Sequence, residues 1–215
     1  MIAELKRRSP SRGDIHPSMI ASVHAGAYED GGSSALSIVT EPSEFGGSLS
    51  DLDSVSRQTR LPLLRKDFHV DPAQIFEARV HGASAVLLIA RALEPGRLEV
   101  LADAAAEAGL DVLIEVRNTA ELGRALSIPG AVIGVNNRDL ETLRVDPLTS
   151  QRLIPLIPCD RIAVAESGMA DRGDVEGAAR CGADAVLVGS SLSAAAVPSD
   201  AVRALTGVAR VRRGA

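Results

Sequence analysis

Eight short apolar runs, each followed by a polar loop and a stretch with helical spacing, constrain this 215-residue chain more than any other feature. They are Ile2–Lys6, Ala35–Thr40, Leu61–Lys66, Ala85–Ala90, Val112–Val116, Val132–Asn136, Ile162–Glu166 and Ala185–Gly189. Most are rich in Val, Ile and Leu, as strands buried on both faces should be. Asp71 ahead of Pro72 predicts an N-cap with proline at the first helical position, opening a helix through Arg79. Leu98, Leu101, Ala102 and Ala105 predict a second helix, ending at Gly109. Eight strands alternating with helices make a parallel α/β fold, and the count of eight favours a closed (β/α)8 TIM barrel. A doubly wound open sheet is the alternative, but no Gly-x-Gly-x-x-Gly follows the first strand.

An internal repeat supports closure. Gly82-Ala83-Ser84-Ala85-Val86-Leu87-Leu88 returns as Gly182-Ala183-Asp184-Ala185-Val186-Leu187-Val188, offset by 100 residues. Asp71 and Asp171 keep the offset, as do Ala78 and Ala178, so the repeat unit is half a barrel. The same offset aligns Lys66 with Glu166. No linker or charge block interrupts the pattern, and one domain over residues 1–215 is expected.

Composition narrows the class. With 46% hydrophobic and 24% charged residues and no apolar run near 18 residues, the chain is neither membrane-spanning, collagenous nor disordered. A net charge of −5 argues against nucleic acid or another general polyanion as partner. Cys159 and Cys181 fit a reducing cytoplasm better than a disulfide framework, and a cytoplasmic monomer is expected. His16, His24, His69 and His81 show no ligand spacing, so no metal is expected.

In such a barrel the carboxyl ends of the strands converge on one mouth. Those ends hold Glu4 and Lys6 (strand 1), Lys66 (strand 3), Glu115 (strand 5), Asn136 (strand 6) and Glu166 (strand 7). Glu4 and Lys6 share one strand face, as do Lys66 with Leu64, Glu115 with Leu113, and Glu166 with Val164. Inward-pointing charges must pair, and the signs nearly balance, with Arg138 as a further cation. The bland reading is that each charge merely ends a strand at the solvent edge. Gly168 after strand 7 and Gly189-Ser190-Ser191 after strand 8 suggest a phosphate cradle of backbone N–H groups, with Ser9 to Gly13 reaching over the same rim. The competing reading makes these glycines simple turn formers. Phe45 and Phe68 fall in loops, where they could wall an aromatic pocket or simply pack.

Ile2-Ala3-Glu4-Leu5-Lys6-Arg7-Arg8-Ser9-Pro10-Ser11 resembles the first-strand signature of indole-3-glycerol phosphate synthase. The likeness continues through Ser37–Glu41, Leu64-Arg65-Lys66-Asp67-Phe68, Leu113–Val116, Gly134–Leu140, Ala165–Gly168 and Val188–Leu192, in strand order across nearly the whole chain. The resemblance implies a barrel of tryptophan biosynthesis, a carboxy-lyase that closes and decarboxylates 1-(2-carboxyphenylamino)-1-deoxyribulose 5-phosphate. No cofactor is implied. Lys66 then matches the general acid, Lys6 the holder of the anthranilate carboxylate, and Glu115 the acid and base of the dehydration. Glu4, Asn136 and Glu166 match residues that orient the lysines and sugar hydroxyls. Ser9, Gly168, Gly189 and Ser190 match the phosphate side and Ser167 a further substrate-binding position, with Arg138 contributing from the strand 6 loop. Phe45 and Phe68 face the ring.

Two departures accompany the resemblance. Glu44 stands where the family often has an aromatic residue. The family also carries an N-terminal segment whose helix lies over the mouth, whereas here strand 1 begins at Ile2; the expectation is a barrel without that helix, binding substrate loosely. Gly13 and its flanking serines are expected to give the loop from Ser9 to His16 few means of ordering itself. Alternatives are a non-catalytic or weakly active phosphate-binding barrel, truncated or designed, and a sister isomerase. Such an isomerase would need a strand-end cysteine, but Cys159 and Cys181 lie off the strand ends.

Overall fold

The computed structural model describes residues 1–213. Eight parallel strands close into a barrel: β1 (Ile2–Leu5), β2 (Ala35–Val39), β3 (Leu63–Lys66), β4 (Ala85–Ile89), β5 (Asp111–Val116), β6 (Val132–Asn136), β7 (Ala163–Glu166) and β8 (Ala185–Val188). Closure is made by β1, which pairs Ile2 with Leu187 of β8 on one side and with Ala35 of β2 on the other. Around it lie α1 (Ala21–Asp30), α2 (Leu49–Ser56), α3 (Pro72–Val80), α4 (Arg97–Glu107), α5 (Thr119–Leu126), α6 (Leu148–Leu153), α7 (Arg172–Arg180), the single turn α8 (Ser190–Ser193) and α9 (Pro198–Leu205). No helix among the described residues is long and apolar enough to cross a membrane.

Every expected strand is present. The differences are at the ends: Lys6, Thr40, Ala90 and Gly189 each lie one residue past their strand, and Leu61, Pro62 and Ile162 precede theirs. The ladder frays there as backbones diverge towards loops, yet the Pro62 and Ile162 carbonyls still accept from Leu36 and Ile133.

Alternation along the strands divides the core in two. Leu64, Leu87, Ile89, Leu113, Val164 and Leu187 fill the barrel interior. A larger cluster, including Leu36, Ile38, Ile114, Ile133 and Val135, packs the outer strand faces against the helices. The half-barrel repeat is structural: Asp71 and Asp171 both cap helices through capping boxes, with Gln74 and Asp174 as the reciprocal partners. Gly82 and Gly182 both follow those helices at φ 87° and 91°, a conformation that favours glycine.

The expectation of a poorly ordered loop after β1 is corrected. Arg8–Ser9 pairs antiparallel with Gly13–Asp14 in a small ribbon. The Arg7 carbonyl accepts from Ile15 and His16 at 2.8 and 2.9 Å, and the Arg8 N–H donates to the Phe45 carbonyl at 3.2 Å. Below the ribbon, the Arg7 guanidinium holds Asp51 through two contacts of 2.6 and 2.8 Å and also donates to the Met19 and Gly46 carbonyls. A glycine-and-serine count overlooked that long-range arginine.

Candidate active site

Side chains at positions 4, 66, 115, 136 and 166 point inward because each lies an even number of residues from an interior apolar position on its strand. They meet at the mouth. Lys66 Nζ lies 2.9 Å from Glu166 Oε2 and 3.4 Å from Glu4 Oε2. The other Glu4 oxygen takes Lys6 Nζ at 2.8 Å, so Glu4 bridges both lysines. Glu4, Glu115, Asn136 and Glu166 are all buried, which excludes the solvent-edge reading of these charges. Asn136 donates through Nδ2 to Glu115 Oε1 at 2.9 Å, while its Oδ1 accepts the Arg138 N–H at 2.8 Å. That pair of contacts fixes which way the amide points.

Electrostatics separate the roles. Burial works against the Glu4 carboxylate, but the Lys6 and Lys66 ammonium groups prevail and bring its pKa down to about 2. Burial likewise opposes the Lys66 charge, and Glu166, Glu4 and Glu115 together raise its pKa above the ordinary lysine value. Glu115 moves the other way. Burial, then the negative charge of Glu166, lifts it to about 7, against the pull of Lys66 and the Asn136 hydrogen bond. Burial and the neighbouring negative charge thus single out Glu115 as the acid of this cluster whose proton is held most tightly.

Two glycines make room for this set. A methyl group on Gly134 of β6 would sit 2.1 Å from Glu166 Oε1, and one on Gly189 would sit 2.3 Å from Glu4 Oε1 and 3.1 Å from Lys6 Nζ. Gly189 is thus needed for the carboxylate cluster as well as for the rim. Gly134 escaped the reading of the sequence, although a glycine inside a buried strand is itself a cue for close approach. Gly134→Ala is expected to push the Glu166 carboxylate off Lys66, lowering turnover at least tenfold with a smaller loss of melting temperature, because a side-chain end can yield where backbone cannot. Kinetics alongside thermal denaturation check this; unchanged turnover would show that Glu166 has room to spare.

The cavity above the charges has two unlike sides. Phe45, Phe68, Leu87, Ile89, Leu140 and Leu143 line one of them. The Phe45 and Phe68 ring centroids are 6.4 Å apart and tilted by 51°. The other side is lined by Ser167, Gly168, Gly189, Ser190 and Ser191, with Arg12 and Arg138. Ser167 and Gly168 follow β7 with consecutive positive φ values of 64° and 80°. For a serine this conformation costs about 1–3 kcal/mol, and the Asn137 side chain, donating to the Ser167 carbonyl at 3.0 Å, helps to hold it. α8 starts at Ser190 and is tied to β1 through Ser193, whose Oγ accepts the Lys6 N–H at 3.2 Å and donates to the Glu4 carbonyl at 3.1 Å. Ser9 is buried beside the same opening. The residues picked out at the strand ends and rims therefore border this opening, except Glu166, which lies beneath it and reaches it through Lys66. Arg12 brings the Ser9–Gly13 segment over the rim as expected, although nothing in the sequence fixes which way a turn residue points.

No group of three or more His, Cys, Asp or Glu side chains among the described residues is placed to hold a metal ion. His69, buried, joins its Nδ1 to the Leu87 carbonyl at 2.8 Å, and burial lowers its pKa to about 4.

Comparison with known proteins agrees with this geometry. Solved structures establish the fold alone: a mutant tryptophan synthase α-subunit from Pyrococcus furiosus superposes with a TM-score of 0.72 at 14% identity, covering 95% of this chain and 96% of that one. A thiamine phosphate pyrophosphorylase from Pyrococcus furiosus gives 0.71 at 15% identity, covering 95% and 92%. Sequence relatives are far nearer. The indole-3-glycerol phosphate synthase of Nocardioides sp. is 47% identical over 208 residues, 97% of this chain and 80% of that protein. The protein of the same description from Chlorobium luteolum is 49% identical over 196 residues, 89% of this chain and 73% of its own length. The family model described as indole-3-glycerol phosphate synthase matches residues 1–205. A sister isomerase and a non-catalytic scaffold are not favoured by these matches. The chain belongs to the indole-3-glycerol phosphate synthase family.

Proposed function

We propose that this mouth converts 1-(2-carboxyphenylamino)-1-deoxyribulose 5-phosphate into indole-3-glycerol phosphate, CO₂ and water, with Lys66 as general acid. The observation that supports this most is the order of chemistry across one cavity. Phenyl walls lie on one side, paired lysines at the floor, and a glycine-rich rim with two arginines on the other. Such an order suits a substrate with an aromatic acid at one end and a phosphate at the other.

Ring closure joins the aromatic carbon to the ribulose carbonyl carbon and places negative charge on the carbonyl oxygen. Lys66, held as an ammonium by Glu166 and Glu4, donates its proton there. Lys6 holds the anthranilate carboxylate until loss of CO₂ leaves its electron pair in the new ring. Departure of the hydroxyl as water then needs a donor, and removal of the ring proton an acceptor. Glu115, at about 7, suits either duty. Asn136 orients Glu115, while Glu4 and Glu166 hold the lysines in place. Phe45 and Phe68 face the ring from one side. The phosphate rests on Ser9, Ser167, Gly168, Gly189 and Ser190, with Arg138 near it.

Incubation with this substrate while indole fluorescence is recorded tests the reaction; no signal would reject it. Inorganic phosphate is expected to compete with substrate and to shift the backbone amide resonances of Gly168, Gly189, Ser190 and Ser191. Shifts confined to another face of the barrel would overturn the phosphate placement.

A further inference from the structure

A buried charge beside Lys66 is left without a part in this chemistry. Arg65 precedes Lys66 on β3, points outward towards α3, and is only 3% exposed. Its Nε donates to Thr40 Oγ1 at 3.1 Å. One terminal nitrogen donates to the Gln74 carbonyl at 2.8 Å and pairs with Glu77 at 2.9 Å. The other reaches Asp67 Oδ2 at 3.2 Å, and that oxygen also accepts the Thr40 hydroxyl at 2.6 Å. Asp67 Oδ1 takes the Phe68 N–H at 2.8 Å. Next to Thr40, the Glu41 carboxylate accepts the N–H groups of Ser43, Glu44 and Phe45 at 2.8, 2.7 and 3.1 Å.

A continuous frame thus runs from Phe68 through Asp67 and Thr40 to Glu41 and Phe45. It joins the loops after β2 and β3, whose phenylalanines face each other. A buried guanidinium costs desolvation free energy that apolar packing in the same place would avoid. What the charged version adds is a fixed direction for each hydrogen bond, and here those directions end on the two phenylalanine loops.

We propose that Thr40, Arg65 and Asp67 are positioning residues that set where the Phe45–Phe68 pair stands in the cavity wall, and so determine affinity for a benzoate-type aromatic ring. The inference rests on the reading that the substrate ring packs against those phenylalanines.

The test measures binding of anthranilate by its own fluorescence, and of inorganic phosphate by competition with substrate, in full-length variants. Thr40→Val keeps the shape and removes the hydroxyl. It is expected to weaken anthranilate about tenfold, the order of one charge-assisted hydrogen bond, while phosphate affinity stays within about twofold. KM for the substrate rises more than kcat falls. Thr40→Ser restores the hydroxyl and brings anthranilate affinity back to within about twofold of the parent. Asp67→Asn gives the loss from the other end of the frame, should Thr40→Val fail to fold. Anthranilate and phosphate weakening together would mean a general structural role and overturn the proposal. Anthranilate unchanged in Thr40→Val but weakened in Phe45→Ala would also overturn it, leaving the ring placement intact. Anthranilate unchanged in both Phe45→Ala and Phe68→Ala would reject the ring placement itself, and the proposal with it.

Discussion

Lys66→Ala will slow turnover by about 10²–10³, the usual consequence of removing one donor aimed at a developing oxyanion. Stability will fall too. The substitution takes from Glu166 the cation at 2.9 Å, and Glu166 Oε1 has no hydrogen-bond partner among the described residues. Losing one member of a buried ion pair strands the other charge, which typically costs about 3–5 kcal/mol. Glu4 suffers less because Lys6 remains at 2.8 Å. The two effects can be separated: Lys66→Met combined with Glu166→Gln removes both charges and should recover much of the melting temperature without recovering turnover. Steady-state kinetics beside thermal denaturation of the single and double variants decide it. Near-normal turnover in Lys66→Ala would remove that residue from the chemistry.

Glu115→Gln will trade activity for stability, and the trade will depend on pH. Loss of a general acid and base of this kind costs about 10²–10⁴ in rate. The stability effect follows from the raised pKa, about 7 in the fold against 4.5 for an ordinary glutamate. Between those values the folded chain binds a proton that the unfolded chain has released, so this group lowers stability as pH rises through the window. The parent thus carries the full cost of an ionised, buried Glu115 only above about pH 7. Glutamine avoids that cost and still offers an oxygen to Asn136. The variant should therefore melt higher than the parent at pH 8, with the gap closing by pH 5. A gap of constant size across that range would show that Glu115 ionises as it does in the unfolded chain.

Much of this site was legible before any tertiary structure. A strand alternates its faces every residue, so Glu4 with Lys6, Leu64 with Lys66, and Val164 with Glu166 must each share a side. Parallel topology then carries all the charged ends to one mouth, and the 100-residue offset between Lys66 and Glu166 anticipated two equivalent positions that meet as an ion pair. What could not be read were contacts between residues distant in sequence with no common period. Arg7 reaching Asp51 and Gly134 yielding space to Glu166 are of this kind.

Architecture is written in local features: apolar strand runs, helix caps and the count of eight are properties that each segment carries alone. The sequence also dictates which residue types stand at the strand ends. What those residues are chemically depends instead on contacts made across the closed barrel. Glu4 and Glu115 are the same amino acid at equivalent ends of β1 and β5, yet one lies at about 2 and the other at about 7. The difference arises because Glu4 sits between two ammonium groups, whereas Glu115 is buried at the cavity floor beside Glu166 and an amide. Electrostatic energy depends on distance and on the surrounding dielectric, and barrel closure is what fixes both.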